Sequence, residues 1–211
     1  MRTILISGAS SGIGLKIAHK QLEEGNRVSA GIRDLESLDG SIIDPRNWPS
    51  EQLILNKYDA LDKNSPKNWI SNTVKSFGSF DTLINSAGIL SKVPFLYKDD
   101  DLDEIDKTMK INFLAVWDLT RLCWEYLSSS KNGRIISIVS MSGKRSKGNL
   151  AAYSCSKFAL MSICQTMRNV GWEKGIRVTT ICPSWVNSKM AKEVNTIDKL
   201  EMSQDEDISV I

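Results

Sequence analysis

The sequence predicts one α/β domain built on a doubly wound parallel sheet, and three observations carry that prediction. Apolar runs of strand length alternate with helix-length segments along the chain. The first of these runs passes straight into a glycine-rich turn that opens a helix. A length of 211 residues, with 41% hydrophobic and 25% charged, suits a single domain spanning 1–211 with apolar side chains enough to fill a core.

The elements follow in order. Residues 4–7 read as the first strand and 13–24 as the helix after it; 27–31 and 53–58 read as the second and third strands. Between those two, the stretch 39–50 with Gly40, Pro45 and Pro49 is expected to be a loop that replaces much of a crossover helix. Residues 82–85, 134–139 and 177–181 bring the strands to six, each preceded by a segment with helical spacing of its apolar positions. The longest helix is expected to start after Asp99, Asp100 and Asp101, whose charges suit a helix N-terminus, and to bury the stripe Leu102, Ile105, Met109, Phe113 and Val116. The acidic run reads as a solvated helix start rather than a metal site.

Several function classes are excluded. A net charge of +2 with interspersed signs gives no extended basic face for nucleic acid. Cys123, Cys155, Cys164 and Cys182 lie far apart with no CxxC pair, and the apolar run at the N-terminus is short for a signal peptide, so a reduced, cytoplasmic compartment is expected. No apolar stretch approaches the roughly 20 residues that cross a bilayer. His19, the one histidine, sits in a helical pattern, which leaves Ser-His-Asp catalysis and most catalytic zinc sites without an imidazole; no metal is expected.

The segment Gly8-Ala9-Ser10-Ser11-Gly12-Ile13-Gly14 lies between the first strand and the first helix. Backbone amides and the positive end of that helix can approach a pyrophosphate there without Cβ obstruction. A nucleotide-hydrolysing loop is disfavoured because no Gly-Lys-Ser/Thr follows. Past the second strand comes Ile32 and then Arg33. No carboxylate stands there to repel an adenosine 2'-phosphate, and a guanidinium is available for it, so NADP(H) is expected over NAD(H); a register shift would bring Asp34 to the ribose instead. Asp59 follows the third strand and on its position alone reads as a strand end.

Tyr153 and Lys157 are four residues apart, on one helix face. A free phenol with a pKa of about 10 shuttles protons poorly at neutral pH, whereas a nearby cation, joined by an oxidised nicotinamide, favours the phenolate and lowers that value. Tyr153 would then protonate an oxygen as hydride arrives at the carbon, or accept the proton in reverse. In isolation the pair would be an ordinary surface pair; its context makes it a candidate site. Ser140 closes a strand containing Ile135, Ile136, Ile138 and Val139, so its hydroxyl should emerge at the carboxyl edge; Ser142 is a nearby competitor. Asn112 falls beside an apolar stripe and needs a specific partner, for which buried water is the obvious choice.

These motifs together resemble the short-chain dehydrogenase/reductase family in its compact form. Its TGxxxGxG pattern corresponds to Ser7 through Gly14, with Ser7 for threonine; Asn85-Ser86-Ala87-Gly88 resembles NNAG; Ser140, Tyr153 and Lys157 have the active-site spacing; and Pro183-Ser184-Trp185-Val186-Asn187-Ser188 resembles PGxVxT, with Ser184 for glycine. The resemblance implies a Rossmann-like fold and an oxidoreductase acting on a small-molecule carbonyl or alcohol. It implies catalytic roles for Asn112, Ser140, Tyr153 and Lys157, with Asn112 holding a water linked to the lysine. It implies cofactor contacts from Gly8, Ser10, Ser11, Gly12, Ile13, Gly14, Arg33, Asp59, Asn85, Ala87, Gly88, Tyr153, Lys157, Pro183, Val186 and Ser188, and a substrate lid near 184–200. A homodimer or homotetramer through the two long helices is also implied. Ser203 and Glu206 have the form of a capping box, yet the family's usual seventh strand is not found, so the chain is expected to be short relative to a typical member. The apolar character of 89–95 and 143–150 points to a substrate with a hydrophobic body. The alternative reading is a nonenzymatic NADP(H)-binding sensor or scaffold; a nucleotide-sugar epimerase would need a longer chain.

Overall fold

The computed structural model describes residues 1–38, 40–146, 148–188 and 190. Six strands, β1 (Thr3–Ser7), β2 (Arg27–Ile32), β3 (Leu53–Lys57), β4 (Thr82–Asn85), β5 (Arg134–Ile138) and β6 (Arg177–Ile181), form one sheet in the order β3-β2-β1-β4-β5-β6. Every pairing is parallel, as the sequence predicts. The chain builds outward from β1 to β3 and then returns to β4, so the order reverses between β1 and β4 and opens a crevice there at the carboxyl ends of the strands.

Parallel strands are covered on both faces, and β1 shows how alternation achieves this. Ile4 and Ile6 join Ile17 and Leu22 of α1 (Gly12–Glu23) on one face. Leu5 faces the other side, with Trp69 of α2 (Ser65–Phe77) and Leu119, Cys123 and Leu127 of α4 (Ala115–Ser129). Val139 and Val116 then pack with Leu160 and Cys164 of α5 (Ala151–Trp172). Between β2 and β3 the chain runs through two short 3-10 turns, Leu35–Leu38 and Pro45–Asn47, in place of an α-helix. In the second of these, Asp44 accepts from the Arg46 amide at 2.9 Å. His19 is an α1 residue, its ring edge-on to Trp48 with centroids 5.9 Å apart.

The long helix departs from expectation in one respect. The acidic run forms a 3-10 turn, Asp99–Asp101, in which the Asp101 carboxylate accepts from the Lys98 N–H at 2.9 Å; α3 (Leu102–Met109) follows, and a π-helical turn, Lys110–Leu114, joins it to α4. Of the predicted stripe, Leu102 is exposed, Ile105, Met109 and Phe113 are half-buried and Val116 is buried; Thr108, Ile111, Asn112 and Leu119 are buried as well. No helix among the described residues is long and apolar enough to cross a membrane. The expected capping box at Ser203 and Glu206, and the lid beyond 190, lie outside the described residues.

Candidate active site

The crevice is a cleft of about 900 Å³. Its first half is built from backbone. Ser7 ends β1, and its hydroxyl accepts from the amides of Ser86 and Ala87 at 3.2 and 3.3 Å, so serine supplies the bonding oxygen that ties the β1 and β4 exits together. Gly8 has φ +72°, and a Cβ there would lie 2.7 Å from the Ala87 Cα, so both the turn and the approach require glycine. Ser11 is the extended N-cap of α1 but its side chain does not cap the helix. The opening amides of α1 therefore border a cleft lined by Gly8, Ser10, Ser11, Gly12 and Ile13, an arrangement that suits a phosphate group.

Farther along, Arg33 and Asp59 line the same cleft. Ile32 is buried. Asp34 is engaged elsewhere, its carboxylate accepting from the Glu36 N–H at 3.1 Å. The Asp59 carboxylate accepts from the Leu61 N–H at 2.9 Å, which shapes the β3 exit.

The second half is built from side chains. Ser140 stands at the end of β5 with φ +127°, a costly conformation for a residue with a Cβ, and its hydroxyl accepts from the Ser142 N–H at 3.1 Å. Tyr153 and Lys157 face the cleft from α5 and are only 8% and 5% exposed. The Lys157 ammonium donates to the Ile138 carbonyl at 3.1 Å and lies 5.7 Å from the Tyr153 ring centre. Burial lowers the Lys157 pKa to about 8. Burial raises the Tyr153 pKa, and a hydrogen bond with Ser140 opposes that rise only in part.

Asn112 is fully buried in the π-helical turn, behind the cleft wall. Its amide is bonded to protein: Oδ1 accepts from the Ile89 N–H at 2.8 Å, while Nδ2 donates to the Ile89 carbonyl at 2.9 Å and to the Ser156 hydroxyl at 3.0 Å. Ser156 in turn donates to the Tyr153 carbonyl at 2.7 Å. Asn112 thus positions both the β4 exit and the first turns of α5.

Two other residues of the expected set, Asn85 and Gly14, are not among those that line the cleft. Asn85 points into the protein, its amide donating to Thr120 and Ser137 at 3.3 Å each, because the parity of β4 turns it from the cleft. Gly14 serves packing: a Cβ there would lie 2.4 Å from the Gly8 carbonyl oxygen, so its absence lets α1 close on the loop. Ala87, Gly88, Pro183, Val186 and Ser188 do line the cleft. Pro183 also accepts from the Met141 N–H at 2.9 Å. Arg145 and Leu150 from the expected 143–150 stretch and Met190 from the expected lid also line the cleft, whereas sequence reasoning missed the polar wall of Asp100, Asp103, Glu104 and Lys107 at the start of α3. These residues belong to no pattern of fixed spacing, and only the fold brings them to the cleft.

A phosphate-suited loop, a buried phenol beside an amine and a hydroxyl at a strand end are thus assembled in one cleft, an arrangement able to hold a dinucleotide and exchange a proton with a bound oxygen. The sequence profile of short chain dehydrogenases matches residues 2–199. The chain is 37% identical over 206 residues to an agropine synthesis reductase of Rhizobium rhizogenes, covering 98% of this chain and 47% of that protein. It is 30% identical over 184 residues to 3beta-hydroxysteroid dehydrogenase 2 of Eggerthella lenta, covering 86% and 70%. A short-chain dehydrogenase/reductase of unknown function from Caenorhabditis elegans, solved with cofactor, superposes with a TM-score of 0.86 at 24% identity, covering 99% of this chain and 85% of that one. The chain spans about half the length of the agropine synthesis reductases it matches.

Proposed function

The chain belongs to the short-chain dehydrogenase/reductase family, and from that premise we propose that it is an NADP(H)-dependent oxidoreductase interconverting a carbonyl and an alcohol, with Tyr153 as general acid and base. The observation that carries this is the sharing of one cleft by the Gly8-to-Ile13 loop and the Ser140, Tyr153 and Lys157 side chains. The bound nicotinamide supplies or takes up the hydride. Tyr153 gives its proton to the substrate oxygen, and Ser140 orients that oxygen by a second hydrogen bond. In the reverse direction the phenol must lose a proton against its burial. The Lys157 ammonium, protonated below about pH 8, is the chain's own source of favourable charge for that step.

NADP(H) is favoured over NAD(H) because the basic side chain that lines the nucleotide end is Arg33, while Asp34 is bonded into its own turn. Leu114 at the end of the π-helical turn, Trp117 on α4 and Phe158 on α5 are exposed, apolar side chains suited to burial against a second copy. Four free cysteines suit a reducing, cytoplasmic compartment.

The test is turnover of an aldehyde, ketone and alcohol panel beside NADPH and NADH titrations by fluorescence. Tyr153→Phe is expected to lower kcat by roughly 10²–10⁴ with NADPH affinity unchanged. Wild-type protein that binds NADPH and turns over nothing would instead be a sensor.

A further inference from the structure

The turn between β5 and α5 places one more charge at the cleft, on the exposed residue Arg145. Arg145 lines it together with Ser140, Ser142, Leu150 and Tyr153. Its base is held in place: Met141 donates to the Pro183 carbonyl at 2.9 Å, Gly143 to Ser140 at 3.0 Å and Arg145 to Met141 at 3.0 Å. The turn is therefore tied to the β6 exit and to the Ser140 backbone. The Arg145 guanidinium makes no ion pair among the described residues.

The surroundings restrict what that guanidinium can meet. Leu90, Leu150, Trp185 and Met190 give the cleft apolar wall for a substrate body. The wall formed by α3 and the turn before it carries Asp100, Asp103 and Glu104 with Lys107, a net negative surface that repels an anion. A guanidinium offers a planar fork of donors that matches a carboxylate and keeps its charge across the working pH range. One guanidinium balances one carboxylate, whereas a phosphate dianion beside the α3 acids would be left undercompensated.

We propose that Arg145 is a specificity-determining residue that pairs with a carboxylate on the substrate. The substrate class is then a carbonyl compound or alcohol with an apolar body and a carboxylate remote from the reacting carbon. This rests on the hydride-transfer reading of the same cleft.

The kinetic test compares para-carboxybenzaldehyde with para-methylbenzaldehyde, and succinic semialdehyde with butanal, using NADPH with wild type, Arg145→Met and Arg145→Lys. Wild type should prefer the carboxylated member of each pair. Arg145→Met should abolish the preference through a fall of roughly tenfold to a hundredfold in kcat/KM for that member, and Arg145→Lys should restore part of it. An equal fall on both members, no preference in wild type, or a loss confined to NADPH affinity overturns the assignment; turnover of the neutral aldehydes in those cases leaves the oxidoreductase reading standing. For protein that turns over nothing, calorimetry on the NADPH-loaded form decides. Benzoate binding more tightly than benzamide, with the difference lost in Arg145→Met, supports the carboxylate site. Equal binding, or none, overturns it.

Discussion

The two halves of the cleft hold their ligand-facing groups by different means. Around β1 and β4 the surface is largely backbone: Gly8 and Gly12 at positive φ, the start of α1, and the Ser86 and Ala87 amides fixed by Ser7. Around β5 and α5 it is side chains, each held by a separate element: Lys157 by the Ile138 carbonyl, Ser140 by the Ser142 amide, and the Tyr153 turn by Ser156 and Asn112. The first half is therefore sensitive to added atoms and the second to changes in charge and hydrogen bonding.

Gly8→Ala tests the first half with the largest expected effect. The added Cβ meets Ala87 backbone atoms and the residue must keep a left-handed conformation, for a combined cost of about 2–5 kcal/mol. Denaturant unfolding should show that loss, and NADPH binding should weaken more than in Tyr153→Phe. A Gly8→Ala protein of wild-type stability and affinity would break the contrast between the halves.

The same contrast explains what was legible in the sequence. Glycine spacing and strand-length apolar runs are local signals, so the six strands, the loop at Gly8 and the Tyr153 and Lys157 pair could be read directly. Asn112 was recognisable as needing a partner, but its partners are Ile89 and Ser156, 23 and 44 residues away, and no local spacing points to them. On the long helix the spacing found Val116, but a 3.6-residue period assumes no π-helical turn, and Ile111, buried in the turn Lys110–Leu114, falls outside it. The motif at Asn85 fixes its position along the strand, whereas its side-chain partners, Thr120 and Ser137, come from elements 35 and 52 residues away.

Arg33→Ala sharpens the contrast by probing the cationic side chain at the nucleotide end of the backbone-built half. If it pairs with a 2'-phosphate, NADPH affinity should fall roughly tenfold to a hundredfold while NADH affinity stays the same. Equal losses for both cofactors in fluorescence titrations would remove the basis for preferring NADP(H).

The smallest effect concerns the buried ammonium. Lys157 has a pKa of about 8 in the folded chain, against 10.5 when unperturbed. Below pH 8 both states are protonated and the folded state carries the full cost of burying a cation. Between about 8 and 10.5 the unfolded chain keeps the proton that the folded chain has lost, so this group makes stability rise with pH, by at most about 1.4 kcal/mol per unit. The buried Cys123 thiol and Tyr58 phenol act oppositely. Burial raises their pKa values, so stability falls as pH climbs past the values of 9.0 and 10.0 at which the unfolded groups ionise. The raw curve therefore mixes both trends, and wild type minus Lys157→Met isolates the lysine. That difference, from denaturant unfolding, should move in favour of wild type by about 1 kcal/mol from pH 8 to 9. A difference that stays flat would mean that the ammonium reaches water, and the second half of the cleft would then not depend on a buried charge.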